Sequence, residues 1–517
     1  MIQLGQHLPV FTIITPLFFA FLLSLANMLK PSAKAGIALA GALLHMLCIT
    51  GVSILVYRSG TLIYHLGDYS PPYGITLVAD QTTVLFLCIL GSGHVLSTLY
   101  RMHTDKDFSS ENRRSVLTSI FFCALSGMTF AGDLFNLFVF VELSSAATIG
   151  LITLKRKAAG TVAGFVYIMV ASISSVLLLF AAVLIYVSTG HLSIAAAAEH
   201  IHLMPKELHA AAAACITVSF GIKFGMVPLH FWQPRAYHAA GSTTAGILSG
   251  FGMKIYLLVL LRLLFILLQA PRYLPVLFTI LLAVSMITIV TGHLMAITDR
   301  DLKRLLAFSS VAHSGYILMA ASAAGLLYTE TPTNPAATIA MGAALFHCIT
   351  HAAMKSSLLW AGRRLIMESS SSWIADLGGS GYRAPAHMSA FILSSLAIIG
   401  IPPTIGFASK WHIAAAQTTV LPIAVVGIGT ILSLYYYARV ITVAISQSAH
   451  AAVPGLEAPA PRASKWSTDG IILLIIGLVL AGSGPAESLL MPLLSNAAET
   501  LLDPQLYIRS VFPGTVP

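Results

Sequence analysis

Charge is scarce in this sequence. Asp, Glu, Lys and Arg make up 9% of its 517 residues, against roughly a quarter in soluble proteins. So few charges could not cover the surface of a water-soluble domain of this length. Cysteine is scarcer still. The five present, Cys48, Cys88, Cys123, Cys215 and Cys348, all lie in apolar runs, and no pair has metal-ligand spacing. That excludes an encoded iron–sulfur cluster or zinc site and leaves them as small packing residues. No nucleotide-binding glycine pattern is present, so neither a cofactor nor a metal is expected. Long polar interruptions are missing too, which argues against any soluble domain.

What the chain has instead is hydrophobic length. Hydrophobic residues make up 57% of it, in recurring runs of about 20 or more, each able to cross roughly 30 Å of hydrocarbon. The pattern predicts an all-α integral membrane protein with about 14 transmembrane helices. The first run, Leu8 to Met28, has no basic stretch ahead of it, and Lys30 and Lys34 follow it. It reads as an uncleaved first span rather than a signal peptide. Residues 446–468, rich in Ala, Pro and Ser, read as a flexible loop before the last span.

A net charge of +9 would suggest nucleic acid in a soluble protein; here the positives sort by loop. Counted from the amino end, the odd loops hold 18 Lys and Arg. The even loops and termini hold four (Arg58, Lys206, Arg272, Arg509). That asymmetry makes the odd loops cytoplasmic and places both termini outside, with no role for nucleic acid.

Those 22 leave six of the 28 positives inside spans: Lys223, Lys254, Arg262, Lys355, Lys410 and Arg439. A lysine near the bilayer centre costs about 2.5–3.5 kcal/mol on insertion scales, so such residues are rare without a use. Arg262 and Arg439 lie toward helix ends and read as snorkelling residues. Lys223, Lys254, Lys355 and Lys410 do not. Glu142 stands alone among the acids in mid-span, and a buried lysine is its natural partner, as a static ion pair or as one that opens and closes. His347, His351 and Lys355 fall at i, i+4 and i+8 and stack on one helix face, a plausible proton wire. His313, in Ser309-Ser-Val-Ala-His313, is either a further member or a packing histidine. Pro228 after Lys223, and Gly400, Pro402, Pro403 and Gly406 before Lys410, predict broken helices seven and twelve, tolerated only beside protein or water. Two such spans, five apart and each bearing a lysine, look like corresponding parts of inverted repeats.

Several motifs together carry a family resemblance. Gly132-Asp-Leu-Phe-Asn-Leu-Phe-Val-Phe-Val-Glu142 resembles helix five of the D-type chain of Mrp-type multisubunit sodium/proton antiporters and of the related hydrogenase subunit. Gly221-Ile-Lys223 through Pro228-Leu-His-Phe-Trp232 is similar to the broken helix seven shared with the antiporter-like subunits of respiratory complex I, and Lys254 to the lysine of helix eight. Asp301-Leu-Lys-Arg-Leu-Leu-Ala-Phe-Ser-Ser310 resembles the start of helix ten. Phe346-His-Cys-Ile-Thr-His351-Ala-Ala-Met-Lys355 resembles helix eleven, and Gly406-Phe-Ala-Ser-Lys410 helix twelve. The likeness spans roughly residues 80 to 440. One stretch departs from it: Ala239-Ala-Gly241-Ser-Thr-Thr244 replaces an Ala-Pro-Thr-like turn.

The resemblance implies two inverted five-helix repeats around a polar axis parallel to the membrane. Residues 1–110 would form a three-helix segment, 111–270 and 271–446 the repeats, and 447–517 a loop and last helix. Glu142 with Lys223 would be the coupling pair. Lys254, His313, His347, His351 and Lys355 would form the relay, and Lys410 would be the terminal proton-loading residue. Lysine at 410 resembles the D, N and L types rather than M, and the short stretch after the last span speaks against the lateral helix of the L type. The expected function is monovalent cation (Na+)/H+ antiport of Mrp type, with other membrane subunits as partners, in a bacterial inner membrane. The alternative is a proton-pumping subunit of a complex I-like oxidoreductase or membrane-bound hydrogenase whose redox centres lie in other chains. A stand-alone symporter fits less well, because the polar residues spread over many helices.

Overall fold

The computed structural model describes residues 5–71, 74–104, 108–154, 157–269, 274–332, 334–446, 467–482 and 484–512. Apolar runs in a bilayer must satisfy their backbone groups internally, and helices do this within one segment. The helices of eight or more residues are α1 (Leu8–Leu25), α2 (Pro31–Ser59), α3 (Gln81–Thr104), α4 (Phe108–Phe130), α5 (Leu134–Thr153), α6 (Ala158–Thr189), α7 (Lys206–Phe224) and α8 (Trp232–Ala240). They continue with α9 (Ser242–Leu267), α10 (Leu274–Thr298), α11 (Leu302–Glu330), α12 (Pro335–Ser369), α13 (Pro385–Ile399) and α14 (Ile405–Ala415). The last four are α15 (Val420–Ile445), α16 (Thr468–Ala481), α17 (Gly484–Leu502) and α18 (Pro504–Val511).

Among the described residues, 11 helices are long and apolar enough to cross a membrane. The other stretches where the sequence predicts crossings lie on α4, on the α13/α14 pair and on α16, and these are too polar or too short by that measure. Burial separates centre from rim. The apolar stretch of α9 is 100% buried and that of α11 94%, whereas α1, α2, α10 and α15 bury 39% of theirs. Outward-facing Phe18, Phe21 and Ile431 belong to such rim helices and present the apolar surface that lipid requires.

Both expected helix breaks are present, and at each a freed carbonyl finds a side-chain donor. Helix α7 ends on Gly225, whose φ of 80° suits glycine, and the indole Nε1 of Trp232 donates to the Ile222 carbonyl at 2.8 Å. Helix α13 ends on Gly400, at φ 85°, and Lys410 Nζ donates back across the break to the Ile399 carbonyl at 2.9 Å. Helix α9 carries two π-helical turns, Leu248–Gly252 and Leu263–Leu267, on either side of Met253–Arg262.

One end of the molecule is closed by an antiparallel hairpin, β1 (Leu62–His65) with β2 (Thr76–Ala79), in the register Leu62 to Ala79. Here the structure corrects one expectation. Arg262 does not snorkel: it is 3% exposed and pairs with Asp80 at 2.7 Å. It also donates to the Thr129 carbonyl and Thr83 and lies against the Tyr507 ring. A buried carboxylate and three further partners compensate the charge where water would otherwise have to. Arg439 donates to the carbonyls of Ile297 and Asp299 at the opposite end.

Candidate functional site

Helices α9, α11, α12, α14 and α15 bring basic and hydroxyl side chains together in the interior. Lys254, on the segment between the two π-turns of α9, donates to the Ser249 carbonyl at 2.9 Å and to His351 Nδ1 at 2.6 Å. The His351 ring stacks on His313 with centroids 5.0 Å apart. His313 Nδ1 lies 2.9 Å from His347 Nε2, and His347 Nδ1 lies 2.9 Å from Ser409 Oγ. All five of these ionisable or hydroxyl side chains are at most 1% exposed. The Nε2 atoms of His313 and His351 are both buried, with no hydrogen-bond partner among the described residues. Imidazoles placed this way can accept a proton on one nitrogen and release it from the other.

A parallel line of hydroxyls runs beside the histidines. Lys410 sits 4.9 Å from the Tyr316 ring centre. The Tyr316 hydroxyl lies 3.1 Å from His293 Nε2, and His293 Nδ1 is 3.3 Å from the Tyr436 hydroxyl. Tyr436 and Tyr437 have ring centres 4.7 Å apart. Lys355 donates to the Tyr437 hydroxyl at 3.5 Å, and Ser309 is 3.0 Å from the same oxygen.

Lys223 occupies a separate chamber, 1% exposed. It donates to Ser145 Oγ at 2.6 Å and lies between the rings of Tyr167 and Tyr256, 5.7 and 5.9 Å from their centres. Tyr256 is 2.8 Å from Ser144 Oγ. A cavity of about 10 Å³ touches Lys223, Tyr237, Gly252, Met253 and Tyr256, at the lower limit of what holds one water.

Glu142 is placed otherwise than expected. It is exposed on α5, and no ion pair within 4 Å joins it to Lys223 among the described residues; Ser145 holds the lysine instead. Helix phase explains this. Val141, Ser144, Ser145 and Thr148 form the buried face, and one residue on from Val141 the helix has turned about 100°. Glu142 therefore stands at the flank, within electrostatic reach of Lys223 and Tyr256 but not in contact with them. The other seven predicted residues are all buried at the interior positions described above.

At the end opposite the hairpin, Asp301 caps α11 by accepting from the Arg304 amide at 3.0 Å. It also bonds to His238 Nδ1 at 3.1 Å and accepts from Ser372. Burial pushes the Asp301 carboxyl up, but those hydrogen bonds outweigh it and bring the carboxyl down to about 2. The pair borders an open pocket of about 590 Å³ with Arg235, Arg304 and Trp373.

Several members of these lines escaped the sequence reading: His293, Tyr316, Tyr436, Tyr437, Ser145 and Ser409. Two had a local signal. Tyr316 follows His313 by three residues and shares its face, and Ser409 precedes Lys410.

Residues 131–435 match the transmembrane family described as NADH:quinone oxidoreductase/Mrp antiporter. The N-type chain of the NADH-quinone oxidoreductase of Desulforudis audaxviator is 29% identical over 502 residues, covering 92% of this chain and 95% of its own. The D-type chain of the Na(+)/H(+) antiporter of Alkalihalophilus pseudofirmus is 25% identical over 489 residues, 92% and 93% of the two chains. Among solved structures, a chain of an archaeal membrane-bound sulfane sulfur reductase superposes with a TM-score of 0.86 at 24% identity, over 98% of this chain and 99% of that one. A chain of the Mrp complex from a Dietzia species does so at 0.83 and 22%, with the same coverage.

Proposed function

We propose that this chain, which belongs to the NADH:quinone oxidoreductase/Mrp antiporter transmembrane family, moves protons along its buried axis as one subunit of a larger membrane complex. The observation that carries this reading is the line from Lys254 through His351, His313 and His347 to Ser409, in which every step is a hydrogen bond or a ring stack. Buried bases facing lipid would each cost several kcal/mol; lined up, they can pass a charge along.

In this mechanism Lys254, His351, His313, His347 and Lys355 relay the proton, and Lys410 loads at the far end. Lys223 is the first acceptor, held by Ser145 between two aromatic rings that favour its charged form. Glu142 acts on Lys223 through its field, and its exposed face is the natural place for a neighbouring subunit to couple. Both breaks, with a glycine ending α7 and α13, support two repeats over 111–270 and 271–446. The loop charges support about 14 crossings with both termini outside, and the bacterial relatives support an inner membrane.

For the exchanged ion we infer monovalent cation (Na+)/H+ antiport of the Mrp type, supported by the relative from the Na(+)/H(+) antiporter of Alkalihalophilus pseudofirmus. The NADH-quinone oxidoreductase relative favours a second setting, a proton-pumping subunit in a redox complex. The test is the purified complex in sealed vesicles. Proton flux that needs a Na+ gradient establishes antiport, and flux that needs an electron donor establishes the redox setting. If neither drives a flux that Lys254→Met removes, the proton reading is wrong.

A further inference from the structure

Lys410 leaves the relay unfinished. It is 4% exposed, and its Nζ turns back into the break, toward the Ile399 carbonyl at 2.9 Å and Thr430 at 3.5 Å. A proton that reaches this region still needs a group that touches the surface.

Such a group lies one turn further along α14. Ser409 holds His347 through its hydroxyl, and His412 follows Ser409 by three residues. Side chains at that spacing share a helix face with Cβ atoms about 5–6 Å apart, a gap that one bridging water spans. His412 also meets the ring of Phe346, the residue before His347, with centroids 6.0 Å apart. It therefore lies against α12 at the residue that precedes His347. Its Nε2 is 2.7 Å from Glu487 Oε1, in the first turn of α17. The imidazole and carboxylate are 21% and 34% exposed, whereas Lys254, the three relay histidines, Lys355 and Lys410 are at most 4% exposed. The amino end of α17 favours the charged carboxylate.

We propose that His412 and Glu487 form the proton port at this end, joining the relay at Ser409 to the solution. The step balances simply. His412 takes a proton on one ring nitrogen and releases one from Nε2 to Glu487, which gives it to water; entry runs in reverse. Nothing is oxidised and no other bond changes. The proposal rests on the relay reading above. It brings in α17, outside both proposed repeats.

A static clasp between α14 and α17 would look the same, and the choice of variants separates the two. Glu487→Gln keeps a hydrogen-bond partner for His412 but cannot carry a proton. In the intact complex in vesicles it is expected to cut proton flux at least about tenfold, as loss of a positioned acid–base group does. Glu487→Asp should retain flux. In Glu487→Ala, formate added on the port side should restore part of the flux, which a clasp would not allow. Native gels check assembly of each variant. Wild-type flux in assembled Glu487→Gln, or no rescue by aspartate and formate, overturns the port. Lys254→Met, measured alongside, keeps the two readings apart: if it abolishes flux while Glu487→Gln does not, the relay stands and the port falls.

Discussion

Lys254 Nζ and His351 Nδ1 stand 2.6 Å apart, joining α9 to α12. Two bases at that distance can hold at most one extra proton between them, because charging both would set like charges side by side without solvent. On the proposed relay the contact is a transfer step as much as a bond. Lys254→Met should lower proton flux by about 10²-fold or more, the usual worth of a positioned acid–base group. Vesicle flux with an assembly check on native gels measures it; wild-type flux would remove Lys254 from the path.

Lys410 separates charge from proton cycling. Lys410→Ala should stop exchange at its end of the axis. Lys410→Arg should keep the positive charge beside Tyr316 but fail to cycle, since arginine holds its proton at every accessible pH. An arginine variant that pumps normally would make Lys410 an electrostatic post.

Glu142→Gln should abolish coupled transport while the complex still assembles, because it removes the field that favours a charged Lys223. Ser145→Ala, which takes away the direct partner of Lys223, should lower flux without changing assembly. If the glutamine variant transports normally, the coupling role of Glu142 is gone.

Asp301 gives a stability prediction. Its carboxyl falls from an ordinary 3.8 to about 2 in the fold. Its contribution is therefore full above about pH 4 and is lost as pH falls from there through about 2. Asp301→Asn keeps the helix cap but removes the charge that accepts from His238 and Ser372, and should cost about 1.5–3 kcal/mol at neutral pH, the range for hydrogen bonds to charged groups. Thermal unfolding in detergent should show the gap between wild type and variant closing as pH drops below about 4. A gap that stays constant with pH would mean that the carboxylate's charge adds nothing.

The parts of the site legible in the sequence were those where one residue type was out of place: lysines in apolar runs, and three ionisable groups spaced four apart on one helix. Proline and glycine marked both helix breaks for the same reason. The tyrosines were not legible, because aromatic hydroxyls are ordinary in membrane helices. His293 and Tyr436 meet across 143 residues of sequence, so no local pattern links them. Glu142 shows the opposite error. Its identity and depth were apparent, but its rotation about α5 was set by Val141, Ser144, Ser145 and Thr148, which the packing selects.

The π-turn at Leu248–Gly252 has a consequence for comparing chains of this kind. Such a turn is an α-helix with one surplus residue. Removing one of its five residues would change neither the hydropathy nor the apparent topology of α9. It would restore ordinary winding and swing the segment on one side of the turn by about 100° relative to the other, turning Lys254 away from His351. A gap of a single position, which alignment treats as trivial, would disconnect the axis more thoroughly than most substitutions in it.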